Sequence, residues 1–185
     1  MTDCGELRHF LGMKIDYDME SGVLQLSQEA NIEKILKRFG MEECNPTRTP
    51  MEKRLQLLRE GTSNGEPYRE LLGSLMYLML CVRPDICYPV AYLGRFQQNP
   101  TTAQWNALKR VVRYVSGTKK ISLEFRRTEA TDNVIGYADA DWASDTEDRK
   151  SVSGFTFKVF GCTVSWSSKS RQQSPCHQAK QNMLF

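Results

Sequence analysis

Histidine is nearly absent from this 185-residue chain: only His9 and His177 occur, far apart. A zinc site built on imidazoles is therefore not expected, and no Ser/His/Asp set or Cys–His pair can be assembled in sensible context. The six cysteines, Cys4, Cys44, Cys81, Cys87, Cys162 and Cys176, include no Cys-x-x-Cys pair. Three bridges are arithmetically possible, but the density is low for a disulfide scaffold, so buried free thiols are the better reading. There is no glycine-rich phosphate loop. No apolar run reaches the ~20 residues of a membrane span, and the most apolar one, Leu71–Val82, is broken by Gly73 and Ser74. The opening residues, MTDCGELRHF, are charged from the third and carry no readable signal peptide.

Acidic side chains are also missing from one part of the chain. From Arg149 to Phe185 there are six Lys/Arg and no Asp or Glu, so the first 148 residues hold 19 basic and 22 acidic side chains. The net charge of +3 belongs wholly to the C-terminal end. Disorder is not expected, because 40% of the residues are hydrophobic and 25% charged, an ordinary globular balance.

Hydrophobic spacing divides the chain near residue 118. Phe10, Met13, Ile15 and Tyr17, a Glu20-Ser21-Gly22 turn, then Val23, Leu24 and Leu26 predict a β-hairpin over 9–27. Ser27 is placed to cap a helix carrying Ile32, Ile35, Leu36 and Phe39, which Gly40 stops. Residues 46–66 read as a linker with a short apolar patch, Leu55, Leu57 and Leu58. A buried helix is expected from Pro67, with Tyr68, Leu71, Leu72, Leu75, Met76 and Met79. Arg83-Pro84-Asp85 breaks it, and a second helix presents Ile86, Val90, Leu93 and Phe96 on one face. Thr101-x-x-Gln104 is a capping box opening a third, with Trp105, Leu108, Val111, Val112 and Val115, closed by Gly117. From Ile121 the period becomes two, and Ile121 to Phe125, Val134 to Tyr137, Val152 to Phe160 and Cys162 to Trp166 predict a β-meander. Nothing after Lys169 supplies the cover such a sheet needs, so it reads as half a domain.

Local chemistry is sparse. Gly136-Tyr-Ala-Asp-Ala-Asp-Trp142 puts Asp139 and Asp141 on one face at a strand end, where they could converge on a hard cation. A turn-forming Asp pair is the plainer reading of that spacing. Asp145, Glu147 and Asp148 sit beside Arg149 and Lys150 and look like a solvated loop. The basic end, with Trp166 and Ser167-Ser168-Lys169, would suit a phosphate backbone, although charges at this density usually serve solubility. Tyr88, Tyr92 and Phe96 stand at helical spacing and read as core rather than as a base-stacking platform.

The segments GELRHFLGMKI (5–15), LSQEANIEKILKRFGM (26–41), YRELLGSLMYLMLCVRPDICYPVAYLGRF (68–96), WNALKRVVRYVSGT (105–118) and GYADADWASDTEDRKSVSGFTF (136–157) make the chain resemble the Copia-type retrotransposon polyprotein. The match runs from late in the reverse transcriptase into the start of RNase H. It implies an α+β fold: residues 1–45 as a palm-edge hairpin and thumb-like helix, 46–66 as linker, and 67–118 as a helical thumb/connection-like region. Residues 119–169 would be a truncated RNase H-like β-meander, and 170–185 a frameshifted tail. By the same resemblance Asp139 matches the first of four RNase H carboxylates that hold two Mg²⁺ ions, and Asp141 is not among them. The family continues after SWSSK with a segment resembling TVALSSTEAEYxAL, which supplies the second ligand. Here the sequence is RQQSPCHQAKQNMLF, which one codon choice, read in a shifted frame, converts to TVALSSSEAEYA. The polymerase metal carboxylates lie upstream in the family. No enzymatic activity, resident cofactor or metal site is therefore expected.

Fragments of this type also resemble the secreted RxLR effectors of oomycete plant pathogens. Gln56-Leu57-Leu58-Arg59 is a degenerate form of that motif, and Glu66-Pro67-Tyr68-Arg69 a weak counterpart of the acidic run that follows it. The missing signal peptide departs from that pattern. The resemblance implies a non-enzymatic effector delivered to the host plant cell, cytoplasm or nucleus, that meets an unidentified host protein and suppresses host cell death. The alternative is a retroelement fragment with weak residual nucleic-acid binding and no host-directed role. If it is not an effector, a cytoplasmic location is expected, and neither reading includes a membrane span.

Overall fold

Two tight turns set the first elements of the chain. Leu11 and Gly12 take positive φ (47° and 74°) between β1 (His9–Phe10) and β2 (Met13–Asp18). Gly22, also left-handed at φ 64°, returns the chain into β3 (Val23–Ser27), with Tyr17 opposite Leu24 and Ile15 opposite Leu26. This is the expected hairpin, in the computed structural model that describes residues 6–53, 55–58, 61–63, 65–127, 134–141 and 151–171. Side chains of 140, 141, 151, 170 and 171 are not included. The tail from 172, the acidic loop at 145–148 and Arg59 lie outside the described residues.

Helix α1 (Glu29–Arg38) follows directly. Its cap is Gln28, not Ser27, because Ser27 is spent as the last rung of β3 opposite Lys14. Gln28 is buried, its carbonyl accepts from Asn31 and Ile32, and its side-chain amide has no partner among the described residues. The helix buries Ile32, Ile35 and Leu36 and ends at Gly40, whose φ of 61° is the conformation an ordinary side chain resists.

The core is built by α2 (Tyr68–Cys81), a 3₁₀ turn at Pro84–Ile86, α3 (Cys87–Leu93) and α4 (Thr102–Gly117). Helix α2 buries Tyr68, Leu71, Leu72, Leu75, Leu78 and Met79. Met76, expected inside, is exposed together with Tyr77 and Leu80, since a helix packed on one side cannot bury the opposite stripe as well. The buried Tyr68 hydroxyl donates to the Leu93 carbonyl at 2.8 Å, and burial pushes its pKa up. The capping box of α4 forms as expected: Gln104 Oε1 accepts from Thr101 N–H at 2.7 Å. Gly117 has a different reason from the expected helix stop, because a Cβ there would lie 2.8 Å from Cβ of Pro46.

Residues described within 46–66 form no helix or strand. They strap α3 and α4. Leu57 is buried, its N–H donates to the Tyr92 hydroxyl at 3.3 Å, and Arg110 pairs with Glu52 at 2.9 Å.

The strand expected to open the meander belongs elsewhere. β4 (Leu123–Arg126) pairs with β3, giving an antiparallel sheet in the order β1-β2-β3-β4. Its alternation matches an open edge of the hairpin as well as it matches a meander, and the hairpin edge is the one that α4 delivers it to. β5 (Ile135–Asp141), β6 (Ser151–Val159) and β7 (Cys162–Arg171) form a second antiparallel sheet. One face of it does find cover, from upstream rather than downstream. Trp166 Nε1 donates to the Met79 carbonyl at 3.0 Å, and the Ser168 N–H reaches the Cys87 thiol.

The helices meet at Arg83, whose side chain is 0% exposed and forks onto Asp85 at 2.9 and 2.7 Å. Burial raises the Asp85 carboxyl pKa. The Arg83 hydrogen bonds and charge, helped by the Tyr114 hydroxyl at 2.9 Å, outweigh that and hold it below the usual carboxylate value. A depressed folded pKa gives stability that is present above the unfolded value and lost as pH falls through the folded one. Asp85→Asn is therefore expected to cost roughly 1–3 kcal/mol at pH 7, less than a fully enclosed pair because Asp85 is 31% exposed. In thermal unfolding, the gap between the two proteins should close as pH drops below the unfolded value of ~3.9.

Candidate functional site

Asp139 stands at the middle of β5, opposite Gly154, and its side chain is exposed. Tyr137 shares its face, and Lys158 lies 5.9 Å from the Tyr137 ring centre. Among the described residues no group of three or more His, Cys, Asp or Glu could hold a metal ion. Among the described side chains Asp139 is the carboxylate that β5 places at this edge of the sheet.

Gln56, Leu57 and Leu58 take separate directions along the strap. Gln56 and Leu58 are exposed and Leu57 is in the core. The backbone is held on both sides: the Leu58 carbonyl accepts from Gln104 Nε2 at 2.7 Å, and the Tyr92 hydroxyl lies 3.5 Å from the Leu55 carbonyl. Buried Gln104 therefore joins the start of α4 to the strap. Nothing brings Asp139 and Gln56–Leu58 into one site.

A groove of about 450 Å³ runs between α1 and α2, lined by Asn31, Lys34, Ile35, Arg38, Arg69, Glu70, Gly73, Ser74 and Tyr77. It holds three cations and one carboxylate. Arg38 Nη2 is 2.6 Å from Glu70 Oε2, and Arg69 Nε donates to the Gln97 carbonyl at 2.7 Å, which fixes both guanidinium groups. Lys34 has no carboxylate partner among the described residues. The Tyr77 hydroxyl closes one end by donating to the Leu11 carbonyl, so the β1–β2 turn is tied to the groove. Sequence reasoning missed this site, because its walls lie some 40 residues apart. The available signal was the polar stripe Asn31, Lys34 and Arg38, at i, i+3 and i+7 opposite the apolar face of α1.

The arrangement is suited to an extended anion: fixed guanidinium groups, one free ammonium, and side-chain amide and hydroxyl groups along two helices.

No family model matches the chain, and no solved structure matches it. Related sequences do. Over 178 residues, 91% of the chain, it is 40% identical to the retrovirus-related Pol polyprotein from transposon TNT 1-94 of Nicotiana tabacum, of whose length it spans 13%. It is 39% identical over 173 residues to an uncharacterized mitochondrial protein of Arabidopsis thaliana, covering 91% of this chain and 70% of that one. Over 106 residues, 57% of the chain, it is 46% identical to Secreted RxLR effector protein 161 of Plasmopara viticola, covering 74% of that protein.

The two leucines of the strap make its packing measurable. Leu57→Ala is expected to cost roughly 2–4 kcal/mol, as a buried leucine truncation does. Leu58→Ala should stay within about 0.5 kcal/mol. Urea unfolding of the two variants checks the contrast.

Proposed function

This chain belongs to the family of retrovirus-related Pol polyproteins from transposons, and on that premise we propose that these 185 residues bind nucleic acid without catalysis of their own. The carrying observation is the α1–α2 groove. Its positive charges are set on two packed helices, and Lys34 has no carboxylate partner among the described residues. Phosphate contacts of this kind give affinity with little sequence preference. An RNA–DNA hybrid is the ligand suggested by the family resemblance.

Catalysis asks for more than the described residues bring together. A two-metal phosphoryl-transfer site converges several carboxylates from different elements on two ions and places a water in line. Asp139 is one carboxylate on one strand. Binding and catalysis are thus separable here, and removing Asp139 leaves the groove untouched.

Fluorescence anisotropy with a labelled RNA–DNA hybrid tests the proposal. Affinity should fall about tenfold or more between 50 and 200 mM salt, the dependence of two or more neutralised phosphates. Lys34→Gln with Arg69→Gln should weaken binding about tenfold and flatten the salt slope by about two. Asp139→Ala should match the wild type. No binding to the hybrid at 50 mM salt overturns the proposal.

A second reading rests on the Plasmopara viticola relative, whose sequence this chain covers to 74% at 46% identity. On that reading the same fold acts as a non-enzymatic effector that lowers cell death in a host plant. Expression in leaf tissue challenged with a death-inducing elicitor should then reduce the lesions, and Asp139→Ala should reduce them equally. Unchanged lesions at equal protein level remove this reading.

A further inference from the structure

The sheet β5-β6-β7 has two unlike faces. Directly opposed residues of an antiparallel pair share a face, so Gly136, Phe157 and Ser165 form one row and Ala138, Phe155 and Ser167 the next. Ser153 and Lys169 continue the surface. Tyr137, Asp139 and Trp166 lie on the opposite face, where Trp166 is docked on the Met79 carbonyl. On the first face Phe155 and Phe157 are each 42% exposed among the described residues.

These two rings are arranged rather than scattered. Their centres are 5.6 Å apart with planes at 53°. A Cβ at Gly136 would lie 2.7 Å from Cε1 of Phe157, so the bare glycine lets that ring lie down over β5. Small side chains surround them: Gly136 and Ala138 on one flank, Ser165 and Ser167 on the other. A surface built to bury another protein's apolar face would need a wider apolar area than two rings set among glycine, alanine and serine.

Charge narrows the occupant further. β6 and β7 contain no acidic residue, and of their lysines Lys169, opposite Ser153, falls on the aromatic face while Lys158 sits over the Tyr137 ring on the other. Asp139 of β5 falls at a register position of the other face. Among the described residues the aromatic face thus carries no carboxylate and has Lys169 on it, and two of its three strands belong to the stretch of sequence that lacks acidic residues.

We propose that this face binds single-stranded nucleic acid by stacking unpaired bases on Phe155 and Phe157. Aromatic rings on a sheet surface, with hydroxyl groups beside them and basic groups at the rim, suit exposed bases and a charged backbone. A duplex keeps its base faces covered, so it has no purchase here. The proposal extends nucleic-acid binding to a second surface, remote in sequence from the α1–α2 groove and independent of it.

Binding of a twelve-residue oligothymidylate to the full chain tests this. Phe155→Leu with Phe157→Leu keeps an apolar strand but removes both π-faces, and should weaken binding at least tenfold. Binding of the RNA–DNA hybrid should stay within twofold. Phe155→Tyr with Phe157→Tyr should retain oligothymidylate affinity. Lys34→Gln with Arg69→Gln should show the reverse selectivity, so failure of the groove and failure of this face read differently. A 2-aminopurine placed in the oligonucleotide should be quenched on binding to the unaltered protein, which requires no variant to fold. Unquenched emission on binding, no binding at all, or wild-type affinity in the leucine variant overturns the proposal. So does a change of oligomeric state in the leucine variant with oligothymidylate affinity unchanged, which would assign the face to self-association.

Discussion

The buried guanidinium of Arg83 is the constraint on which the other elements hang. Taking an arginine out of water costs several kcal/mol unless its donors are met. Here Nε and Nη2 reach Asp85, Nη1 reaches the Thr118 carbonyl at 3.3 Å, and Nη2 reaches the Thr118 hydroxyl at 2.7 Å. The Tyr114 ring lies 5.6 Å away and its hydroxyl returns to Asp85, closing the set. These partners come from the turn after α2 and from the end of α4. One side chain therefore fixes where α2 stops, how the chain restarts and where α4 ends. The end of α4 in turn places β4 beside β3. The Arg83 N–H bonds to the Leu78 carbonyl, one residue further back than the helical pattern, so the Met79 carbonyl is left for Trp166. Both sheets are thus positioned from the same joint.

The readable parts of this fold are those set by near neighbours. The hairpin, the Gly40 stop, the Thr101–Gln104 capping box and the apolar faces of α1, α3 and α4 all follow from spacing within about one or two turns. Arg83-Pro84-Asp85 was legible as a break because proline cannot continue a helix. Its burial was not, because Tyr114 and Thr118, which complete its surroundings beyond Asp85, lie more than 30 residues away. Two strands compete for one edge at β3, and alternation is identical for either outcome, so the placement of β4 was beyond a period-two signal. Met76 and Leu78 are equally apolar, and only the packing decides which of them faces the core. The α1–α2 groove is hidden for the same reason, being a product of two segments that the strap separates in sequence.

Strand alternation also sorts the chemistry of the second sheet. Asp139 and Trp166 belong to the face turned toward the helices, while Phe155 and Phe157 look away from them. The carboxylate and the exposed aromatics are consequently on opposite sides of one layer, although they stand on adjacent strands. Acidic and basic residues divide in a similar way along the chain. The excess of carboxylates lies before residue 149, and the second and third strands of this sheet carry only positive charge. An anionic partner on the aromatic face would meet no like charge on β6 or β7.

The same reasoning bears on the segment at Gln56–Leu58. A linear motif is read by a partner through side chains that are free in the native state. Leu57 is not free: it belongs to the core, and its N–H is held by Tyr92. The Leu58 carbonyl is occupied by Gln104, which itself is fixed by the capping geometry of α4. A partner that recognised this segment in the folded chain would therefore see Gln56 and the Leu58 side chain, with the intervening leucine turned inward. Recognition of consecutive leucines would require the strap to leave α3 and α4, giving up the burial of Leu57 and the Gln104 bridge together. Folding and linear recognition thus compete for the same residues here, and the folded state takes Leu57 first.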